Sequence, residues 1–277
     1  MIINSLGINI TKNCNLNCAH CLCGDAKNEC ITKDVIEKAF KGIERIDELY
    51  LTGGEPFLRL DLIRMVIDEV KKQNTELRSI SITTNGTIFN EEMKQTLLSI
   101  FDGVDGYITV SKDKFHKNSI CKKLSCFDKM FIGEDTFYKL LILRMKKFCL
   151  ENKINFNIND IAEKFVAKMG RAKDIEGAME ISQKIYALGN YSAKNHLYVD
   201  EVIIDTTGHV LRCDYENDDV ENLSIGNVLD NTLEELIFNK CSSELEGRGL
   251  KYEDDELTKQ AINQMYVKKQ RKQLGIF

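Results

Sequence analysis

The feature that most restricts this chain is an alternation that runs from about residue 7 to residue 158: a short strand pattern, an amphipathic helix pattern, then the same pair again with little between them. Gly7 to Thr11 alternates as a strand. Thr32 to Ile43 reads as a helix capped by Thr32, with Val35, Ile36, Ala39 and Ile43 on one face. Glu48 to Leu51 is the next strand, and Leu60 to Gln73 a helix with Leu62, Ile63, Val66, Ile67 and Val70 on one side. Strand Arg78 to Thr87, helix Glu91 to Phe101, strand Asp105 to Ser111, helix Asp135 to Glu151 and strand Ile154 to Ile158 complete the series. Strand followed by helix, repeated, is the sequence form of a parallel sheet with helical crossovers, so the fold class is α/β. Such sheets bind ligands at the carboxyl ends of their strands.

The residues with the most distinctive chemistry fall at those ends. After the first strand, Thr11-Lys-Asn-Cys-Asn-Leu-Asn-Cys-Ala-His-Cys-Leu-Cys-Gly24 places Cys14, Cys18 and Cys21 in a C-x3-C-x2-C array. Tetrahedral zinc takes four ligands, usually as two separated C-x2-C pairs, whereas a [4Fe–4S] cube held by three cysteines keeps one iron open. The spacing favours the cube. A zinc site completed by Cys23 or Cys30, or simple free thiols, are the plainer alternatives. After the second strand comes Thr52-Gly-Gly-Glu-Pro56, with the only proline in the chain. Paired glycines let a backbone approach a ligand closely, and the adjacent carboxylate can receive an ammonium group. Taken alone this is an ordinary turn.

Together, in this order and separation, the two motifs resemble the radical S-adenosylmethionine (radical SAM) enzymes. The resemblance covers about residues 7–195 and implies a partial (β/α)6 TIM-like barrel. It implies that Cys14, Cys18 and Cys21 hold one [4Fe–4S] cluster whose open iron chelates S-adenosyl-L-methionine. It further implies reductive cleavage to methionine and a 5′-deoxyadenosyl radical that takes hydrogen from a substrate. His20 stands where relatives carry an aromatic residue near the adenine, and Gly53, Gly54 and Glu55 match the segment at the methionyl ammonium. Asn85, in Thr84-Asn85-Gly86, matches a polar strand end near the cofactor, or is an Asn-Gly turn. Ser111 and Asp113 resemble a Ser-x-Asp at the fourth strand that contacts the cofactor. Arg171, in Gly170-Arg171-Ala172, could hold a carboxylate or form a surface ion pair. For catalysis itself the candidates are His116, which the resemblance places facing the barrel mouth, and Cys121 and Cys126 in a polar loop before the helix at 135. Cys149 fits a helical apolar pattern and reads as core.

Beyond about residue 195, Val199 to Cys213 reads as two strands joined at Thr207-Gly208, followed by the segment Ser224 to Val228 and a helix at Thr232 to Phe238. This order resembles the SPASM or twitch extension of radical SAM enzymes that modify peptides. Only Cys213 and the distant Cys241 are present where that extension has a dense run of cysteines, so a small α+β remnant without an auxiliary cluster is expected over 196–277, after a barrel over 1–195. A late helix is expected from Asp254 to Gln273, ending in a basic run that reads as solvated.

Composition sets the context. Ten cysteines in 277 residues with no basic, apolar leader point to reduced thiols in the cytoplasm, and no run approaches the roughly 18 apolar residues of a membrane span. Net charge is −5, unevenly placed: residues 109–173 hold 15 Lys+Arg against 7 Asp+Glu, and residues 200–256 hold 4 against 17. These are either two solvated surfaces or a basic region that meets an anionic substrate group. The overall acidity argues against nucleic acid as a partner. The resemblance implies a flavodoxin- or ferredoxin-like electron donor, and a peptide or protein substrate or, as the second reading, a small metabolite or nucleotide-like one. An iron–sulfur electron carrier that makes no radical and a structural zinc protein are readings of other classes; Gly53 to Glu55 argue against the carrier, which has no use for an ammonium-binding segment.

Overall fold

The strand pattern becomes one sheet whose outer face is apolar and helix-covered. The protein is described by a computed structural model over residues 1–123, 134–159, 171, 175, 189–191, 196–211, 224–246, 259–264 and 267. The strands are β1 Ile2–Thr11, β2 Arg45–Gly53, β3 Glu76–Leu77, β4 Ser79–Thr84, β5 Asp105–Ser111, β6 Asn155–Asn159, β7 Gly189–Tyr191, β8 Leu197–Ile204 and β9 Val210–Leu211. The helices are α1 Lys33–Ala39, α2 Leu60–Lys72, α3 Glu91–Ile100, α4 Lys114–Lys123, α5 Glu134–Glu151 and α6 Leu233–Glu246, with a 3-10 turn at Pro56–Arg59.

The sheet runs β6-β5-β4-β2-β1-β8-β7, with β3 beside β2 and β9 beside β8. Every neighbouring pair from β6 to β8 is parallel, and β7 and β9 lie antiparallel on β8. Among the described residues the sheet stays open, as a partial barrel does. Leu6, Ile8 and Ile10 of β1, Leu49 and Leu51 of β2, Ile80 and Ile82 of β4, and Ile108 and Val110 of β5 are buried together with Val35, Ile36, Ile63, Val66, Ile67, Met93 and Leu97 of α1 to α3. The alternate residues of the same strands face the other way and are mostly polar.

Local signals explain the elements. Thr32 caps α1 by accepting from Val35 N at 3.3 Å, and Asn90 caps α3 by accepting from Met93 N at 2.9 Å. The expected faces of α2 are buried as read from the sequence. Among the differences, β1 begins at Ile2, because Ile2 and Ile3 already pair with Arg45 and Ile46, and β3 was not anticipated. The stretch read as a polar loop contains α4, so Cys121 lies on a helix. Asp113 caps it, its Oδ1 accepting from Phe115 N and His116 N, both at 2.9 Å. Its sequence has little apolar periodicity to announce it. Cys126 lies outside the described residues, and Cys149 is buried in the core.

In the last third, β8 and β9 form the expected hairpin. Asp205 holds its turn, Oδ1 accepting from Thr207 N and His209 N at 2.9 Å each. β8 pairs with β1, so this hairpin continues the main sheet. Helix α6 starts with a capping box: Thr232 N donates to Glu235 Oε2 at 2.8 Å, and Glu235 N to Thr232 Oγ1 at 3.3 Å. Cys213 lies outside the described residues; of the helix expected from Asp254 to Gln273, residues 259–264 and 267 are described, and they are helical. Among the described residues no helix is long and apolar enough to cross a membrane.

Candidate functional site

The cysteine loop leaves β1 at Thr11 and is locked to the end of β2 by its backbone. Gly54 N donates to Thr11 O at 2.6 Å and Glu55 N to Asn13 O at 2.9 Å. A Cβ on Gly53 would lie 2.3 Å from Thr11 O, and one on Gly54 would lie 2.3 Å from Asn13 O, so only glycines allow this approach. Gly53 also has φ of +135°, a value side chains rarely adopt.

Glu55 then ties β2 to β4. Its carboxylate is fully buried and accepts from Phe57 N at 3.1 Å, Thr84 Oγ1 at 2.8 Å and Asn85 N at 2.7 Å. Burial pushes its pKa up to about 7 despite these donors. Asn85 in turn reaches the cysteine loop, donating through Nδ2 to Asn15 Oδ1 at 2.8 Å and to Cys14 Sγ at 3.8 Å. Tyr138 of α5 fastens the next strand ends, its hydroxyl donating to Ser111 O at 2.6 Å and Asn85 O at 3.1 Å.

The three thiols face one another closely enough to interact electrostatically. Burial raises the pKa of Cys14 and pushes that of Cys18 up to about 12, whereas a hydrogen bond from Cys23, aided by the Arg171 guanidinium, lowers Cys21 to about 6. Arg171 braces this loop from the far end of the chain, Nε donating to Cys18 O at 2.9 Å and its own backbone N to Cys21 O at 3.0 Å. It also pairs with Asp25 at 3.3 Å.

His20 is buried between aromatic neighbours, stacked on Phe115 at 4.6 Å and edge-on to His116 at 4.9 Å. Asp113 Oδ2 holds both imidazoles, 3.1 Å from His20 Nε2 and 2.8 Å from His116 Nδ1. Burial opposes the charge on Asp113, but hydrogen bonds from His116 and His20 outweigh it and keep the carboxyl well below the usual range. Among the described residues the buried Nδ1 of His20 has no hydrogen-bond partner. Cys18, His20 and His116 offer ligand atoms within 4.8 Å of one another.

Residues chosen separately from sequence are thus brought to one place: Cys14, Cys18, Cys21, His20, Gly53, Gly54, Glu55, Asn85, Asp113, His116 and Arg171, with Ser111 beside them at the end of β5. Cys30 is drawn aside, its sulfur accepting from Arg59 Nη1 at 2.7 Å and contacting Thr11 Oγ1 at 3.1 Å. Phe115, Ser119 and Tyr138 escaped the sequence reading. Ser119, whose Oγ accepts from Asn17 N at 2.7 Å, became reachable only with the missed helix α4, and nothing in an apolar helical pattern announces the tie made by Tyr138. Three convergent thiols, a buried imidazole nitrogen without a partner and a glycine cradle suit a sulfur-ligated iron cluster with an organic co-ligand better than a closed four-cysteine zinc site.

Residues 8–125 match the family model described as the Radical SAM superfamily. The chain is similar to a probable GTP 3′,8-cyclase of Methanocella arvoryzae, 31% identical over 138 residues that are 48% of this chain and 43% of that protein. It is also similar to a GTP 3′,8-cyclase of Clostridium perfringens, 27% identical over 169 residues that are 57% of this chain and 46% of that protein. It therefore spans less than half the length of these curated relatives. Among solved structures, one described as native anSMEcpe with bound AdoMet and Cp18Cys peptide superposes with a TM-score of 0.55 at 16% identity, over 85% of this chain and 80% of that one. The likeness to that structure is one of fold.

Proposed function

We propose, on the premise that residues 8–125 are a radical SAM domain, that this chain is a radical SAM enzyme using one [4Fe–4S] cluster and S-adenosyl-L-methionine. The observation that carries the reading is the interlock of the cysteine loop with Gly53 to Glu55 and Asn85 at the carboxyl ends of parallel strands. Cys14, Cys18 and Cys21 would hold the cluster, which when reduced supplies the electron that splits S-adenosylmethionine into methionine and a hydrogen-abstracting 5′-deoxyadenosyl radical.

The remaining residues position and enclose. Gly53 and Gly54 offer a backbone edge that a ligand can approach, while the Glu55 carboxylate, with three donors already bound, holds that edge in register with Asn85. Asp113 accepts from His20 Nε2, which leaves Nδ1 as an acceptor that would be available to the cofactor. Arg171 holds the loop backbone at Cys18 and Cys21, and Ser111 stands at the cofactor end of β5. His116 orients Asp113, and through it His20. A flavodoxin- or ferredoxin-like protein would supply the electron.

The substrate is either a peptide or protein side chain or a small polar metabolite. The second reading draws on the activity for which the relatives are named and on Lys112, Lys114 and Lys117, grouped at the start of α4 beside the site. The test is anaerobic reconstitution with iron and sulfide, then reductant and S-adenosylmethionine, following 5′-deoxyadenosine in the wild type and in Cys18→Ala. Formation that vanishes in the variant supports the reading. A cluster that forms without cleaving the cofactor points instead to an electron carrier, and bound zinc in place of iron ends it.

A further inference from the structure

A closed barrel of parallel strands is ordinarily plugged by branched apolar side chains. The inner face of this sheet is different. Along the register it presents Ser5 and Asn9 of β1, Glu48, Tyr50 and Thr52 of β2, Ser81 and Thr83 of β4, Tyr107 and Thr109 of β5, and Glu201 of β8. Apolar residues close its lower end, where Ile3 pairs with Ile46 and Val199, and Ile203 of β8 lies over Gly7 higher on the same face. Above them lies an open cavity of about 230 Å³ whose lining includes Ser5, Glu48, Thr83, Tyr107, Thr109 and Glu201. Among the described residues the lining carries two carboxylates, several hydroxyls and no basic side chain.

Glu48 is the ordered acceptor in this space. Its Oε1 receives the Tyr107 hydroxyl at 2.5 Å and the Ser81 hydroxyl at 2.7 Å. Among the described residues nothing bonds to its Oε2. The hydrogen bond to Glu48 raises the pKa of Tyr107, as expected of a phenol that donates to an ionised carboxylate. Two hydroxyls that fix one oxygen and leave the other facing a cavity make a preorganised receptor for a strong donor. Across Ser5, Glu201 adds a second negative side chain on the same face. An anionic group would meet the Glu48 carboxylate and, among the described lining residues, no cation.

We propose that Glu48 is a specificity-determining residue that receives a cationic nitrogen group of the substrate, an amine or a guanidinium, within this cavity. The proposal rests on the enzyme reading above and deepens it by naming the substrate class. Glu48 lies five residues before Gly53 on β2, about 16 Å along the strand. The cavity rises from it to Thr83 and Thr109, which lie closer to the cysteine loop. A substrate that reaches the site with its charged end down therefore presents its middle to the loop and its polar atoms to the two threonines. The basic residues at the start of α4 lie outside this cavity, so a phosphate there and a cation below are separable features.

The test is equilibrium binding to the anaerobically reconstituted protein, read by ligand NMR line broadening, with N-acetyl-arginine amide, its uncharged isostere N-acetyl-citrulline amide, and GTP as probes. Arginine amide should bind at least about tenfold more tightly than citrulline amide, a charge-assisted bond set against a neutral one. Glu48→Gln should erase that preference, and Tyr107→Phe, which frees Glu48 to rotate, should reduce it. Iron content and circular dichroism confirm that each variant is folded and loaded. Equal binding of the two isosteres, a preference untouched by Glu48→Gln, absence of binding by arginine amide, or displacement of arginine amide by GTP in the Glu48→Gln variant and wild type alike would overturn the proposal. The probes are tested without S-adenosylmethionine, so a negative result leaves the cleavage experiment standing, and failed cleavage leaves the binding comparison readable.

Discussion

The two faces of the sheet come from the same strands and follow opposite rules. On the outer face Leu6, Ile8 and Ile10 of β1, Leu49 and Leu51 of β2, Ile80 and Ile82 of β4, and Ile108 and Val110 of β5 are apolar and fully buried with residues of α1 to α3, so these side chains are chosen by volume. On the inner face the intervening residues that line the open cavity carry hydroxyls and carboxylates, side chains suited to bonding. A two-residue period thus writes a core and a binding surface into one strand. The rim where the strands end belongs to neither face: there backbone approach, buried carboxylates and thiols fix a single arrangement.

That division can be tested by effects of decreasing size. At the rim, Cys18→Ala should abolish iron loading while Cys30→Ala, whose sulfur is held by Arg59 and Thr11, should retain it; iron and sulfide per chain decide. If both variants lose iron, the loop is a four-thiol site and the rim has been misassigned. On the outer face, Leu51→Ala should lower stability by about 2–5 kcal/mol in denaturant unfolding, whereas Thr109→Ala on the inner face should change it by no more than about 0.5 kcal/mol. Comparable losses would erase the distinction between the faces.

A third measurement concerns pH. Because burial lifts Glu55 to about 7 from an ordinary 4.5, the folded chain binds more protons than the unfolded one between those values. Its stabilising contribution is complete below the lower value and is lost as pH rises through the upper one, on the order of 1–3 kcal/mol in the cluster-free protein. Melting temperature against pH should show this slope, and Glu55→Gln should flatten it, even though the amide set against Asn85 N–H lowers stability at every pH. A modest loss is expected at the edge of the outer layer: Thr32→Ala, which removes the α1 cap, should cost about 1 kcal/mol. A loss as large as that of Leu51→Ala would mean that α1 contributes more than its packing face.

The α/β class, the strand and helix order and the three cysteines were legible in the sequence, because period, spacing and residue type are local properties. Helix α4 was not, since its start depends on an Asp113 cap and not on an apolar stripe. The sequence also placed Cys14, Cys18, Cys21, His20, Gly53 to Glu55 and Asn85 at strand ends. Only the tertiary structure decided what they do to one another. Three donors from three positions occupy Glu55, one carboxylate orients two histidines, and Arg171 reaches back 153 residues to Cys18. Strand parity could name the residues of the inner face, but whether that face is filled or hollow depends on how far the sheet curls, and curvature is set by packing between elements distant in the chain.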